Sequence, residues 1–360
     1  MLQPDYNFGS RFLTDDGLLL GFTADGTTEV LELASGRVLR TLGRADIGAA
    51  APDGSRVVLC WTNKPAAGRQ KLTPISPEDQ APGPARMWDI RTGCVILTLT
   101  GARKPIRQVD WSPDGGAIVT RSSGSEPAGA VDPGELCIWD GASGKLLHQL
   151  SDRPGRLVFS QDGRRFSIQG NAPALTCYDV ATGQSVFAAP EGSSLQSGVF
   201  LGGNRLLLLN YRASEKERSR SPVIELPGGR ELYALPDVPP INNVEASPDG
   251  SAMLTTGLDP RLFLLDSATG HRLSVYSHAR DVSFPYFTPE GNRLAILSSQ
   301  GCRFLDVETG RETLSLPSLP NIGRAVYFSP HGRFMYRFTP RKSGTRSDLE
   351  VWDLRPAAGE

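Results

Sequence analysis

The sequence predicts an all-β fold of eight repeated, four-stranded sheets, and three observations support this prediction. A tight turn with a glycine recurs eight times, at Gly17, Gly54, Gly115, Gly163, Gly203, Gly250, Gly291 and Gly332. A second glycine turn follows seven of these copies, at Gly36, Gly93, Gly144, Gly183, Gly229, Gly270 and Gly310. The apolar runs between turns, such as Arg205 to Leu209, are too short for a helix and typical of buried strands.

The copy with the clearest sequence shows how each repeat is built. Its first strand and turn read VDWSPDG over residues 109–115, where proline fixes φ at about −65°, aspartate can cap the turn and glycine accepts positive φ. Its third strand ends in CIWD at residues 137–140, and the second turn follows as ASGK at residues 142–145. The first-turn glycines lie 37 to 61 residues apart, and strand-rich periods of about 40–45 residues are typical of propeller blades.

Three copies keep an aromatic-acidic pair at the end of the third strand, namely Trp88-Asp89, Trp139-Asp140 and Trp352-Asp353. With the period and the Ser-Pro-Asp-Gly turns, these pairs make the chain resemble the WD40-repeat proteins over essentially all of its 360 residues. Such repeats place a Gly-His dipeptide before the first strand, but Gly101-Ala102 stands there in the clearest copy. The His-centred hydrogen-bond network of that family is therefore expected to be missing from most copies.

The resemblance implies a β-propeller in which one repeat supplies the outer strand of one blade and the three inner strands of the next. The eighth copy stops at Leu354 without an outer strand, and residues Met1 to Phe8 precede the first inner strand. We therefore expect a single propeller of eight four-stranded blades, closed by pairing between these two parts of the chain. A seven-bladed propeller, in which the copy around Gly202-Gly203 has decayed, is the alternative.

Composition indicates one all-β domain over residues 1–360. An apolar fraction of 39%, with 39 Gly and 28 Pro, suits a turn-rich globular chain, and no linker interrupts the repeats. A net charge of −1 gives no overall field toward nucleic acid or a membrane, so neither is an expected partner. We expect a cytoplasmic monomer, because no secretory leader or membrane-spanning run is visible, although the sequence also fits a propeller cut from a longer protein.

The repeats differ in length at one place, between their second and third strands. From the turn glycine to the acidic residue that ends the third strand there are 15 or 16 residues in four copies, and 21 to 35 in the others. The longer copies carry insertions at residues 62–86, 121–134, 210–221 and 339–347. In WD40-like propellers this connection lies on one rim, where many members bind peptides and proteins. The insertions are predicted to decorate that rim, although exposed loops also tolerate extra length without any function.

Three of the four insertions are basic, with net charges of +2, +2 and +3, and the one at 121–134 is −1. A basic rim would favour an acidic or phosphorylated segment of a protein or peptide partner. The alternative is that the charges only keep long loops soluble. The candidate partner-binding residues are Trp61, which opens the longest insertion, and the cations Lys64, Arg69, Lys71, Arg212, Lys216, Arg218, Arg220, Arg341, Lys342 and Arg346.

No catalytic, metal or cofactor pattern is found in the sequence. The four histidines lack the spacing of a zinc site, and there is no Gly-x-Ser-x-Gly elbow or phosphate-binding loop. The aspartates of the Pro-Asp-Gly turns recur with the repeat, so we expect them to serve the turn. Trp88, Trp111, Trp139 and Trp352 are expected in the packing of the blades. Small buried hydrophobes in a reducing compartment are expected at Cys60, Cys94, Cys137, Cys177 and Cys302.

These observations predict a non-catalytic interaction scaffold that presents its inserted loops to a protein or peptide, without a cofactor. The competing hypothesis is a propeller enzyme or a ligand-binding ring with a site in the central channel. That hypothesis requires polar or ionisable residues from non-equivalent repeats to converge on one place.

Overall fold

The computed structural model describes residues 12–14, 16–23, 26–61, 84–122, 134–152, 155–169, 175–190, 195, 197–209, 221–235, 241–257, 261–277, 285–298, 301–317, 326–340 and 347–354. Within them the chain forms 31 β-strands in eight antiparallel sheets, and each sheet joins strands that follow one another in sequence. We number these sheets as blades 1 to 8. The chain divides into two compact units. The first comprises residues 1–153 and 326–360, and the second comprises residues 154–325.

Blades 1 to 3 belong to the first unit, and blade 4 begins the second. Blade 1 contains β1 (Phe12–Leu13), β2 (Leu18–Phe22), β3 (Thr27–Glu32) and β4 (Val38–Arg44). Blade 2 contains β5 (Ile47–Ala50), β6 (Arg56–Cys60), β7 (Arg86–Asp89) and β8 (Val95–Thr98). Blade 3 contains β9 (Gln108–Trp111), β10 (Ala117–Ser122), β11 (Gly134–Asp140) and β12 (Leu146–Asp152). Blade 4 contains β13 (Arg156–Phe159), β14 (Arg165–Gln169), β15 (Thr176–Asp179) and β16 (Ser185–Ala188).

Blades 5 to 7 complete the second unit, and blade 8 belongs to the first. Blade 5 contains β17 (Ser197–Leu201), β18 (Arg205–Leu209), β19 (Pro222–Glu225) and β20 (Arg230–Ala234). Blade 6 contains β21 (Ile241–Ala246), β22 (Ala252–Gly257), β23 (Arg261–Asp266) and β24 (Arg272–Ser277). Blade 7 contains β25 (Pro285–Phe287), β26 (Arg293–Ser298), β27 (Gly301–Asp306) and β28 (Glu312–Pro317). The described part of blade 8 has three strands, β29 (Tyr327–Phe328), β30 (Phe334–Pro340) and β31 (Ser347–Asp353).

The predicted fold class, an eight-bladed β-propeller, is confirmed. The copy around Gly203 forms blade 5 with all four strands, so the seven-bladed alternative is wrong. In the first unit the last repeat packs on the first, because Leu19 and Leu31 of blade 1 share a hydrophobic cluster with Phe334 and Tyr336 of blade 8. The outer strand expected from residues 1–8 lies outside the described residues, so closure of blade 8 by that segment stays a prediction.

The predicted turns form through the local chemistry of their residues. All eight first-turn glycines and all seven second-turn glycines have positive φ, between 67° and 83°. In the first turn of blade 3, Asp114 Oδ1 accepts a hydrogen bond from the backbone N–H of Gly116 at 3.0 Å. The Ser112 hydroxyl donates to the same carboxylate and accepts the Ala117 N–H at 2.8 Å. These aspartates therefore serve the turn, as predicted.

The core lies between neighbouring blades, where the predicted tryptophans pack. Trp139 is fully buried, and its indole Nε1 donates to the Thr120 hydroxyl at 2.9 Å. Trp111 belongs to the same cluster of blades 2 and 3, and its Nε1 donates to the Ala49 carbonyl at 3.0 Å. Trp88 is half-buried between blades 1 and 2. The prediction that these aromatic rings pack in and between blades is confirmed for these three residues.

The prediction that the cysteines are buried is correct for four residues and wrong for one. Cys60, Cys137, Cys177 and Cys302 are buried and not disulfide-bonded, whereas Cys94 is exposed. Cys94 directly follows the second turn of blade 2 and precedes the outer strand β8, whose Val95 is also exposed. Residues at the start of an outer strand have no further strand beside them, so a cysteine there stays in contact with solvent.

Candidate functional site

The strand bounds place all four insertions at the equivalent connection of their blades. The insertions follow β6, β10, β18 and β30, which are the second strands of blades 2, 3, 5 and 8. They end before β7, β11, β19 and β31, which are the third strands of the same blades. The length variation is therefore confined to one of the connections within a repeat.

Three insertions are shorter than the sequence indicated, and in the first of them Arg86 already lies in β7, opposite Leu59. Thr339 and Pro340 extend β30, and they pair with Asp348 and Ser347 of β31. Arg121 lies in β10 opposite Leu136 and is only 8% exposed, so it belongs to the blade and not to the loop. The physical reason is that the flanking strands continue their ladder into the insertion, which satisfies more backbone groups.

Most of the predicted partner-binding residues cannot be placed. The ten cations among them lie outside the described residues: Lys64, Arg69, Lys71, Arg212, Lys216, Arg218, Arg220, Arg341, Lys342 and Arg346. Trp61 is described, and it directly follows β6 where the longest insertion begins. The strands on both sides of each insertion are in place to hold these loops, and the contribution of the cations stays a prediction.

Trp61 is half-buried because it packs against blade 1. A Cβ atom added to Gly26 would lie 2.6 Å from Cζ3 of the Trp61 ring, so only a glycine leaves room for the indole. The guanidinium carbon of Arg44 lies 5.2 Å from the ring centroid, within the range of a cation–π contact. Trp61 therefore bridges blades 1 and 2, and only the exposed part of its ring is available to a partner.

Backbone groups of several innermost strands bind side chains of a neighbouring blade. An innermost strand is an edge strand, and edge strands present backbone groups that no further strand pairs. In the second unit, Gln169 Nε2 donates to the Gly198 carbonyl at 2.7 Å, and Gln161 Nε2 donates to the Phe200 carbonyl at 2.8 Å. The Phe287 N–H donates to Glu245 Oε1 at 2.8 Å. We call these contacts, together with that of Trp111 to Ala49, cross-blade caps.

A cavity of about 440 Å³ lies in the second unit beside these cross-blade caps. Its walls are formed by β13, β17, β21 and β25, the innermost strands of blades 4 to 7, together with Gln161 and Gln169. Its polar side chains are those of Arg156, Gln161, Gln169, Ser197, Asn243, Glu245 and Tyr286. Polar residues from four repeats therefore lie close together in this cavity. The ligand-binding hypothesis requires such convergence, and the sequence alone could not show where it occurs.

Glu245 differs from the carboxylates of the turns in its electrostatics. Burial raises its pKa to about 7, and the hydrogen bond from the Phe287 N–H opposes that rise. Asp110, at the same position five residues before the turn glycine, also has a pKa raised by burial, which the Gln108 amide partly offsets. At the second turns the effect is reversed, since the Thr269 hydroxyl and backbone N–H lower the pKa of Asp266.

The half-buried Glu245 carboxylate predicts a pH dependence of stability that Glu245→Gln should remove. Since the folded pKa of about 7 exceeds the ordinary 4.5, the folded state holds a proton that the unfolded state releases between these pH values. Stability therefore falls as the pH rises through this window. Between pH 5 and 8 the native protein should lose about 2–3 kcal/mol more unfolding free energy than the variant. Urea unfolding at both pH values tests this, and equal losses would contradict the assignment.

Metal sites and membrane-spanning helices are absent from the described part of the chain. No group of three or more His, Cys, Asp and Glu side chains there is arranged to hold a metal ion. In the same residues, no helix has the length and apolar character needed to cross a membrane.

Comparison with known proteins confirms the resemblance to WD-repeat proteins. No protein-family model matches the chain. An uncharacterized WD repeat-containing protein of Synechocystis sp. is 35% identical over 80 residues, and the match spans only 21% of each chain. The crystal structure of the computationally designed Ika8 protein matches the fold with a TM-score of 0.60 at 15% identity, covering 98% of both chains. The chain therefore carries WD40-like repeats on an eight-bladed β-propeller fold.

Proposed function

We propose that this protein is a non-catalytic interaction scaffold that binds a protein or peptide through its inserted loops. The observation that carries the proposal is the placement of all four insertions after the second strand of a blade. Loop growth that served no purpose would have several other connections open to it. WD-repeat propellers in general mediate protein interactions, so the fold is compatible with this role, although fold alone does not define a partner.

The partner of the proposed scaffold is an acidic or phosphorylated segment. Within residues 210–221, four cations stand against two acidic residues, and residues 341–346 add three more cations without any acid. Charge complementarity of this kind speeds association and selects partners, and it weakens as salt increases. Trp61 adds an aromatic surface at the base of the longest insertion, and aromatic residues are enriched among the energetic centres of interfaces.

Neutralising one basic insertion is expected to abolish capture of such a partner. The variant changes Arg212, Lys216, Arg218 and Arg220 to serine, and a matched control changes the exposed cations Arg37, Lys145, Arg272 and Arg311 beside the second turns. Affinity capture from a lysate of the source organism, at low and moderate salt, should recover an acidic or phosphorylated protein with the control but not with the variant. Recovery of the same partners by both proteins would refute a basic docking rim.

A second candidate function is the binding of a small ligand in the cavity of the second unit. It is favoured by one observation, the convergence of polar side chains from four repeats on that cavity. Loss of partner capture in the loop variant would leave this second function untouched, because none of the cavity residues lies in an insertion.

A further inference from the structure

The cavity of the second unit has the size and lining of a small-ligand site. Its volume of about 440 Å³ falls within the range of roughly 300–1,000 Å³ that such sites occupy. Phe159, Phe200, Val199 and Val244 supply apolar lining beside the polar groups. Specific binding pockets are usually more apolar than this one, half of whose lining residues are polar, so the lining suits a polar or charged ligand.

Most of the polar groups in this cavity already have partners within the protein. Gln169 donates to the Gly198 carbonyl and accepts from the Ser197 hydroxyl at 2.8 Å, and Gln161 donates to the Phe200 carbonyl. These amides hold neighbouring blades together, so they form the wall and are not free to bind a ligand.

Glu245 is different because its carboxylate is only partly engaged. Its Oε1 accepts the Phe287 N–H at 2.8 Å, and among the described residues Oε2 has no hydrogen-bond partner and no ion pair. The other charged or titratable groups of the cavity are Arg156 on β13 and Tyr286 on β25, and β14 and β17 contribute none. No positive charge lowers the pKa of Glu245, since only burial and the Phe287 hydrogen bond shift it.

The repeat does not require an acid at this position. The residues at the equivalent position of the ladder are Val158, Val199 and Tyr286 in the other three blades of the second unit. Burying a carboxylate without a counter-charge is costly, and it is relieved when a cation arrives with its own hydrogen-bond donors. An acid that the repeat does not require, in a cavity whose lining cation Arg156 does not pair with it, is therefore suited to a positively charged ligand.

We propose that Glu245 and this cavity bind a protonated organic nitrogen, such as an alkylammonium or guanidinium group, with the carboxylate as its hydrogen-bond acceptor. The N–H of the ligand reaches the carboxylate oxygen that the protein leaves open, and the alkyl part lies against the apolar lining. The aromatic rings of Phe159, Phe200 and Tyr286 in the lining add surfaces that attract a cation. The group can belong to a small amine or to a lysine or arginine side chain of a partner, since the recognised chemistry is the same. This inference is independent of the basic loops.

The site is expected to bind more tightly as the pH rises from 6 to 8. The carboxylate must be ionised to hold the cation, and burial raises its pKa to about 7 in the empty cavity. Affinity should increase by roughly tenfold across the interval, which corresponds to the change in the ionised fraction of Glu245.

The test measures binding of n-butylammonium and n-butylguanidinium to the full chain by calorimetry or NMR titration, with n-butanol as the neutral control. Glu245→Gln keeps an oxygen for the Phe287 N–H but removes the charge, and it should weaken binding of the cations at pH 8 at least about tenfold. Asp110→Asn is the matched control, because it changes a buried carboxylate at the same repeat position in the first unit. That control should leave affinity unchanged within about twofold. Unfolding curves of both variants verify that they are folded.

Equal affinity of the native protein and the folded Glu245→Gln variant would overturn the proposal, as would equal binding of n-butanol or no saturable binding of either cation. A peptide with one lysine and its acetyl-lysine form then separate the two sources of the cation. Tighter binding of the lysine peptide than of n-butylammonium assigns the site to a partner side chain. Equal or weaker binding of that peptide assigns it to a small amine.

Discussion

Gly250→Ala is expected to lower the free energy of unfolding by roughly 3–4 kcal/mol. Gly250 has φ of 69°, a conformation that costs a residue with a Cβ about 1–2 kcal/mol. Its Cβ would also lie 2.5 Å from the backbone nitrogen of Gly202 and 2.7 Å from its Cα. The two turns of blades 5 and 6 are held this close by the hydrogen bond from Gly202 N–H to the Gly250 carbonyl, at 2.8 Å. The clash is therefore with backbone that cannot move aside without breaking a contact between blades.

Gly115→Ala is the matched control for this prediction. Gly115 occupies the same turn position with φ of 71°, but the nearest atom to its added Cβ is Pro52 Cδ at 3.8 Å, an ordinary contact. Only the conformational cost of about 1–2 kcal/mol is expected there. Urea unfolding of both variants measures the difference. Equal losses of unfolding free energy would show that the close approach of Gly202 and Gly250 does not affect stability.

Trp139→Ala is expected to cost about 3–5 kcal/mol of unfolding free energy. Trp139 is fully buried in the cluster shared by blades 2 and 3, and its removal leaves a large void and a Thr120 hydroxyl without its indole donor. Trp88→Ala is the control, since Trp88 occupies the same repeat position in blade 2 but is only half-buried. Its loss should be clearly smaller because less apolar surface returns to water.

Chemical unfolding followed by tryptophan fluorescence and by circular dichroism measures both losses. A Trp139 variant that unfolds at the same urea concentration as the Trp88 variant would mean that the packing around Trp139 relaxes to fill the void. That result would also mean that the hydrophobic cluster shared by blades 2 and 3 contributes little to the free energy of unfolding.

The turns and the blade count could be predicted from the sequence because they depend on neighbouring residues. Proline, aspartate and glycine at positions 113–115 define a turn whatever surrounds it, and all fifteen turn glycines have the positive φ that this chemistry requires. The burial of Trp111 was also predictable, because a large aromatic residue beside a turn of a propeller repeat has a blade to pack on.

The errors concern features that depend on residues far away in sequence. The exposure of Cys94 follows from the absence of another strand beside the outer strand of blade 2. The bounds of the last insertion were wrong because β30 and β31 continue to pair through Pro340 and Ser347. Strand length of this kind is decided by the partner strand, and a proline near the start of a candidate loop gives no sign of it.

The cavity could not be predicted, although one signal for it is visible in the sequence. Glu245 is acidic where the equivalent residues of the neighbouring repeats are Val199 and Tyr286, so it departs from the pattern of the second unit. Asp110 departs in the same way, however, and its carboxylate meets the Gln108 amide on its own strand. Only the three-dimensional arrangement shows that Glu245 reaches the backbone of blade 7 and faces an open space.

The cross-blade caps make the order of the repeats along the chain a structural requirement. The indole of Trp111, the amide of Gln169 and the carboxylate of Glu245 each match one particular neighbour, and no two of these contacts use the same side-chain chemistry. A chain in which blades 3 and 6 exchanged places would keep every strand and every turn, yet these side chains would meet the wrong backbone groups. The repeats therefore share one shape but differ in the side chains that contact the neighbouring blades, so they are not interchangeable.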